Sequence, residues 1–154
     1  MREPRVLSVN IGRPVLQRVP KGRPTGIAKG PVDVISVADP GPKRVGDVWY
    51  VGTAVLEVRG PRVPCATFAE RLGERGWVKR FASHGRSGVY LQVNQPGQIR
   101  PGDSITVTPS GSGLDVPTLL RAFLGDPDAA RAALDSRALA EHRAAELAAT
   151  ARRV

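Results

Sequence analysis

The side chain with the strongest intrinsic nucleophilicity in this chain is its single cysteine, Cys65. It follows Pro61-Arg62-Val63-Pro64, where two prolines fix the backbone in a rigid bend. A helix is predicted over 65–73, and the free amide groups at its start, with Arg62 nearby in sequence, favour a thiolate. Such a thiolate can bind a soft metal, carry sulfur as a persulfide or attack an electrophile. The alternative is that a lone cysteine is a small buried hydrophobic residue.

Two histidines and one lysine are further candidates. His84 lies in the polar turn 83–88, where it can supply a base or a phosphate contact, with a surface loop histidine without a role as the alternative. His142 is predicted on the solvated face of a helix. Lys29 ends a short strand in the most basic third of the chain, with a solvent-facing lysine as the alternative. The sequence has no second cysteine or histidine pair at zinc spacing and no glycine-rich phosphate-binding motif.

Basic residues outnumber acidic ones by 23 to 14, which gives a net charge of +9. The excess lies toward the N-terminus, since residues 1–46 carry 9 basic and 3 acidic groups. Such a surface attracts nucleic acid, phosphorylated cofactors and acidic partners alike, so charge alone does not choose among them. A single cysteine and the lack of any long apolar run predict a cytoplasmic protein without disulfides or a membrane span.

The elements that must position these side chains are mostly short strands. A length of 154 residues is enough for one substantial core. A two-residue break at Gly52-Thr53 between two β-rich runs predicts a hairpin. Glycine- and proline-rich turns between the strands favour a mainly β fold, a barrel or a sandwich. The predicted strands are 6–9, 26–28, 32–37, 48–51, 54–58, 89–93 and 104–108.

The composition changes after Ser110-Gly111-Ser112-Gly113, which is predicted to be a linker. Three helices are predicted beyond it. Asp115 caps the first, which Gly125 ends, and Asp126-Pro127 begins the second. Ser136 is predicted to cap the third, which carries Leu139, Arg143 and Leu147. The chain therefore divides into a β domain over 1–109 and a three-helix extension over 114–154.

Several stretches together resemble the MOSC domain, the C-terminal module of molybdenum cofactor sulfurases that also occurs as stand-alone bacterial proteins. The most specific is Pro61-Arg62-Val63-Pro64-Cys65, preceded by the strand 52–58. Residues 23–29 are similar to the family's N-terminal strand with its lysine, and 85–103 to its later strands and turn. The tail from Val116 resembles the three-helix extension of one bacterial subfamily.

This resemblance implies a β-barrel in which Cys65 is the sulfur carrier or the molybdenum ligand. It implies that Lys29 and Arg62 contact the phosphate of the pterin in the molybdenum cofactor. Pyridoxal phosphate association is also implied, although no residue of the sequence marks a Schiff-base site beyond lysines in general. Related proteins reduce N-hydroxylated bases and amidoximes, which implies an oxidoreductase role acting on a small molecule.

The chain departs from the family pattern near residues 46–47, where a middle stretch with His-Gly-Gly and Gly-Glu-Asn-Leu motifs is missing. An incomplete barrel leaves strand edges unpaired, which favours a homodimer or a partner chain that completes it. A second hypothesis is therefore a non-catalytic binding or assembly module that kept the scaffold and lost the cofactor pocket. Nucleic-acid binding by the basic N-terminal third is the weakest of the three hypotheses, because basic and aromatic residues are not interleaved.

Overall fold

The computed structural model describes residues 4–10, 15–18, 24–29, 34–38, 41–65, 69, 73–85 and 87–153. Short strands come first along the chain, and helices dominate its C-terminal third. In chain order the elements are β1 (Arg5–Asn10), β2 (Val15–Arg18), β3 (Pro24–Lys29), β4 (Val34–Ala38), β5 (Val48–Val51), β6 (Ala54–Pro61), α1 (Trp77–His84), β7 (Val89–Gln95), β8 (Ile105–Thr108), α2 (Val116–Phe123), α3 (Pro127–Asp135) and α4 (Glu141–Ala151).

The main sheet has four antiparallel strands in the order β7-β6-β5-β8. Its centre is the hairpin predicted from Gly52-Thr53, in which Val51 pairs with Ala54. Strands β1 and β4 form one antiparallel pair, and β2 and β3 form another. β1 is tied to the start of β8, because the Val6 amide donates to the Asp103 carbonyl at 2.8 Å and the Ile105 amide to that of Pro4 at 2.9 Å. Within the described ranges the sheet is open.

One face of this sheet is buried because apolar side chains alternate along β5 and β6. Trp49 is only 2% exposed and is the largest buried side chain, and Val116 of α2 joins its cluster. A second cluster holds the three C-terminal helices together through small alanines and a few leucines, with Leu147 of α4 at 1% exposure. Helix α2 therefore contributes to both clusters and lies against β6.

Two of the three predicted helix starts are confirmed by their capping bonds. Asp115 Oδ1 accepts from the Thr118 amide at 2.7 Å, and Asp126 Oδ1 accepts from the Ala129 amide at 3.0 Å. Each aspartate satisfies an amide that has no partner within its own helix.

The predicted cap of the last helix is wrong. α4 begins at Glu141, and its cap residue Ala140 makes no side-chain capping bond. Ser136 instead closes α3, since its hydroxyl donates to the Ala133 carbonyl at 2.7 Å. Arg137 follows with a left-handed φ of 55°, which turns the chain away before a new helix can begin.

Segment 43–47 is hydrogen-bonded on one side to the sheet and on the other to the start of the helical region. The Gly46 amide donates to the Val58 carbonyl at 2.8 Å, and the Val45 amide donates to that of Leu114 at 3.0 Å. The residues predicted as a linker also reach this segment, because the Ser110 hydroxyl donates to the Val45 carbonyl at 2.8 Å.

Candidate cysteine site

The site predicted around Cys65 begins where β6 ends. Pro61 and Pro64 are buried while Arg62 between them is exposed, so the bend is anchored through its prolines. The Arg62 amide also donates to the Gly88 carbonyl at 2.8 Å, just ahead of β7. These contacts hold the segment that leads to Cys65 in one position relative to the sheet.

Cys65 itself is a free and exposed cysteine. Its carbonyl accepts from the Ala69 amide at 3.1 Å, the four-residue spacing of an α-helix, and Ala69 is helical. The described part of this turn thus agrees with a helix that begins at the cysteine. The alternative of a buried hydrophobic cysteine is wrong, because the residue is open to solvent.

Of the other two predicted cofactor contacts, the structure describes the side chain of Arg62 but not that of Lys29. Arg62 lies three residues before Cys65 on the same anchored bend, with its side chain exposed. Lys29 is the last residue of β3, paired with Val15, and its side chain lies outside the described part of the structure. The structure therefore places Arg62 and Cys65 on the same bend, and the cofactor contacts expected of Arg62 and Lys29 stay predictions.

The two histidines are not part of this bend. His84 is the exposed last residue of α1 and therefore does not lie in the turn where it was predicted. His142 is exposed in the first turn of α4, on the wall of a cavity between the sheet and the helices.

One polar group near the bend was not identified from the sequence. The Ser87 hydroxyl is buried and has no hydrogen-bond partner in the described part of the chain. It precedes Gly88, the residue whose carbonyl accepts from Arg62. Buried polar atoms are usually satisfied, so an unsatisfied hydroxyl beside the anchored bend is consistent with a missing ligand. Nothing in the residue type alone distinguishes Ser87 from any other loop serine.

The carboxylates of Asp47 and Glu57 form hydrogen bonds that stabilise the fold. Asp47 is 3% exposed, and its two oxygens accept from the amides of Arg44 at 2.8 Å and Ser110 at 2.9 Å. A hydrogen bond from Asn94 and another from Arg59 hold the pKa of Glu57 below its usual value. The described residues contain no group of three histidine, cysteine or acidic side chains that can hold a metal ion. A metal at Cys65 would therefore need ligands from elsewhere, as a cofactor supplies.

An exposed thiol on a fixed bend, with an arginine three residues before it, has the chemistry to bind a soft or electrophilic centre on an anionic ligand. The MOSC domain family model matches residues 34–106, a range that includes Arg62 and Cys65 but not Lys29. This region of the chain therefore belongs to the MOSC domain family.

Two proteins of known sequence are similar to part of this chain. The uncharacterized protein YflK of Bacillus subtilis (strain 168) is 31% identical over 67 residues, which is 44% of this chain and 30% of YflK. A protein named "Reductase" from Gibberella moniliformis (strain M3125 / FGSC 7600) is 35% identical over 83 residues, 51% of this chain and 15% of that protein. The chain thus spans less than a third of the length of either relative.

Two solved structures share the fold. YiiM from Geobacillus stearothermophilus superimposes with a TM-score of 0.60 at 20% identity, over 97% of this chain and 85% of YiiM. YiiM from Escherichia coli gives a TM-score of 0.57 at 19% identity, over 68% of this chain and 53% of that one. The predicted mainly β, MOSC-like fold with a helical extension is confirmed, and its described strands form an open sheet instead of a closed barrel. No helix in the described ranges is long and apolar enough to cross a membrane.

Proposed function

We propose that this MOSC domain binds the molybdenum cofactor through Cys65, with the thiolate as a sulfur ligand or sulfur carrier. The observation that carries the proposal is the free, exposed thiol of Cys65 on an anchored bend inside the family-matched region. The donor set fits this cofactor, because a thiolate is a soft metal ligand and Arg62 can pair with a phosphate. The unsatisfied hydroxyl of Ser87 adds a hydrogen-bonding group next to the bend.

Each residue has a distinct part in this proposal. Pro61 and Pro64 lower the entropy cost of holding Cys65 in position. The Arg62 guanidinium neutralises the charge of the cofactor phosphate, and Lys29 is proposed to do the same from β3. When bound, the molybdenum centre supplies two-electron redox chemistry.

The proposed reaction is the reduction of a small N-hydroxylated compound, and the name of the relative called "Reductase" supports the reductive part of this proposal. Cleavage of the N–O bond consumes two electrons and two protons and releases water and the reduced nitrogen compound. The electrons would come from a separate electron-carrier protein.

Pyridoxal phosphate is not included in this proposal. A Schiff base needs a lysine whose amine is activated by desolvation or by a neighbouring cation. Of the lysine side chains that the structure describes, Lys43 donates to the Gly41 carbonyl at 3.3 Å and Lys79 is exposed. Neither has the apolar setting that this chemistry requires.

Metal analysis by mass spectrometry tests the proposal on protein expressed in a host that makes molybdenum cofactor. We expect near-stoichiometric molybdenum in the wild type, loss of it in Cys65→Ser, and a reduced content in Arg62→Gln. Arg75→Gln removes another exposed arginine and is the matched control for Arg62. Because Cys65 is exposed, its variant should keep the wild-type melting temperature.

Two outcomes contradict the proposal. Equal molybdenum in the wild type and Cys65→Ser excludes the thiol as a necessary ligand. Molybdenum absent from both excludes cofactor retention, and sulfur transfer is then judged separately. A cysteine desulfurase and its substrate should add one sulfur atom to the wild-type mass and none to Cys65→Ser if Cys65 is a carrier.

A second candidate function, an assembly module, is favoured by the outer edge of β7. β6 lies on one side of β7, and no described strand lies on the other. Residues 89–95 carry no charge, and Tyr90 and Val93 are 51% and 56% exposed. Natural sheets usually protect such an edge with charges or prolines. We propose a second copy of the chain as the partner, because an uncharged strand meets its own copy without repulsion.

Sedimentation velocity over a range of concentrations tests this homodimer. We expect the wild type to be dimeric and Val93→Lys to be monomeric, because a charge on an edge strand opposes pairing with an identical strand. Tyr50→Lys places the same charge on the central strand β5 at a residue that is 48% exposed, and it should stay dimeric. A monomeric wild type, or a dimeric Val93→Lys, would contradict pairing through β7.

A further inference from the structure

A partly enclosed cavity of about 190 Å³ lies between the main sheet and the C-terminal helices. Its walls come from the end of β6, from β7, from α2 and from the turn that leads into α4. Pro61 of the bend lines the cavity, but neither Cys65 nor Arg62 does, so the cavity does not include the proposed cofactor contacts. The residues that determine its character are Arg59, Tyr90, Phe123, Leu139, His142 and Arg143.

One side of the cavity is apolar. Leu119 is 1% exposed, and Phe123 and Leu139 are partly buried against the second core cluster. The guanidinium carbon of Arg143 lies 5.1 Å from the centre of the Phe123 ring. This stacking holds a positive charge beside an apolar surface.

The rest of the wall is cationic and polar. Arg59 Nη1 pairs with Glu57 at 2.7 Å, and Arg143 Nη1 pairs with Glu146 at 2.9 Å. Each of these ion pairs uses one of the five N–H donors of a guanidinium, so both arginines keep donors for a ligand. Their side chains are each 46% exposed, and the carboxylates hold them in place without burying them.

The first turn of α4 adds to this arrangement. Ala140 lines the cavity and is the cap residue of α4, with no side-chain capping bond. The first amides of this 11-residue helix are therefore not satisfied by the cap side chain. The positive end of a helix dipole lies at the same wall as the arginines.

We propose that this cavity binds a small carboxylate that carries one planar ring. An apolar cavity of about 150 Å³ holds benzene, while pockets for drug-sized ligands measure about 300–1,000 Å³. A volume of about 190 Å³ thus fits one ring with one carboxylate and excludes larger cofactors. The ring lies on the Phe123 side, and the carboxylate takes hydrogen bonds from Arg59 and Arg143.

Titration of the full chain with benzoate, followed by two-dimensional amide NMR, tests this proposal. Benzoate should shift the signals of Tyr90, Leu139 and Arg143. Benzamide has the same shape without the charge and should bind at least about tenfold more weakly, because it cannot form charge-assisted hydrogen bonds with the arginines. Inorganic phosphate lacks the ring and should not displace benzoate.

Substitution of single arginines tests whether Arg59 and Arg143 bind the carboxylate. Arg59→Gln and Arg143→Gln should each raise the Kd for benzoate about tenfold. Arg121→Gln removes an exposed arginine of α2 that does not line the cavity and should leave the Kd unchanged. Arg59 does not stack on Phe123, so its variant separates the loss of charge from the loss of packing.

Three results would overturn the proposal: no cavity signals shifted by benzoate, equal binding of benzamide, or an equal effect of Arg121→Gln. Displacement of benzoate by phosphate would also overturn it, because the site would then recognise charge without the ring. None of these results bears on the molybdenum content of the protein, so this proposal and the proposed function fail separately.

Discussion

Asp47→Leu should lower the free energy of unfolding by about 3–6 kcal/mol, from the loss of two charge-assisted hydrogen bonds at about 1.5–3 kcal/mol each. The carboxylate of Asp47 is buried and accepts from the amides of Arg44 and Ser110, and leucine leaves both amides without that partner. For a domain whose total stability is about 5–15 kcal/mol, this is a substantial part of it. Urea unfolding followed by the fluorescence of buried Trp49 measures the change.

Two further variants separate the charge from the side-chain shape. Asp47→Asn keeps one acceptor oxygen, so it should lose about half as much stability as Asp47→Leu. Asp135→Asn makes the same exchange at the exposed end of α3, where we expect a change within about 0.5 kcal/mol. A loss below about 1 kcal/mol for Asp47→Leu would contradict a structural role for its two hydrogen bonds.

Gly97→Ala should cost about 3 kcal/mol, at the upper end for overpacking, because the added carbon meets backbone atoms that cannot move aside. A Cβ at Gly97 would lie 2.5 Å from both the Thr53 carbonyl oxygen and the Ala54 amide nitrogen. The Thr53 hydroxyl also accepts from the Gln98 amide at 2.8 Å, so the hairpin turn and residues 97–98 are held together. A backbone movement that relieves the clash would break the hydrogen bond between Gln98 and Thr53.

Gly88→Ala is the matched control for Gly97→Ala. Gly88 also lies next to a strand of the sheet, but a Cβ there meets nothing within 4 Å. We expect its melting temperature to stay close to that of the wild type, while Gly97→Ala should melt clearly lower. Equal melting temperatures for the two variants would show that the turn adjusts to the extra carbon.

The parts of the fold that local sequence determines were predictable. The β5–β6 hairpin follows from a glycine turn between two β-rich runs, and Asp115 and Asp126 cap helices because each stands directly before a helical segment. Ser136 had the same local signal but closes the preceding helix. A serine before a helical pattern does not show which helix it serves, because its hydroxyl can bond backward or forward.

Two elements were not predicted for a different reason. β2 is four residues long, Val15–Arg18, and its pairing with β3 depends on a partner elsewhere in the chain. α1 has an apolar face with Trp77, Val78 and Phe81, but it is only eight residues long and follows Gly76, so its pattern is too short to be recognised from the sequence. Short elements defined by distant contacts leave little mark on local sequence.

The candidate site likewise has a part that local sequence predicts and a part that depends on residues far apart in the chain. The motif around Cys65 is contiguous, so the bend was predictable, whereas the exposure of the thiol was left open between two alternatives. The buried role of Asp47 depends on Ser110, 63 residues away in sequence. The cavity brings together Arg59 from the sheet and Arg143 from the last helix. Only tertiary structure places such residues on one wall, since no spacing in the sequence relates them.

Segment 43–47 links local unfolding of the sheet to that of the first C-terminal helix. The Val58 amide of the sheet donates to the Asp47 carbonyl at 2.9 Å, and the Val116 amide of the first C-terminal helix donates to that of Lys43 at 2.9 Å. The sheet and that helix bond to different backbone groups of the same five residues, so separation of either one would free part of the segment that holds the other. Amide hydrogens on both sides therefore share one protecting event and exchange with solvent as a single cooperative unit.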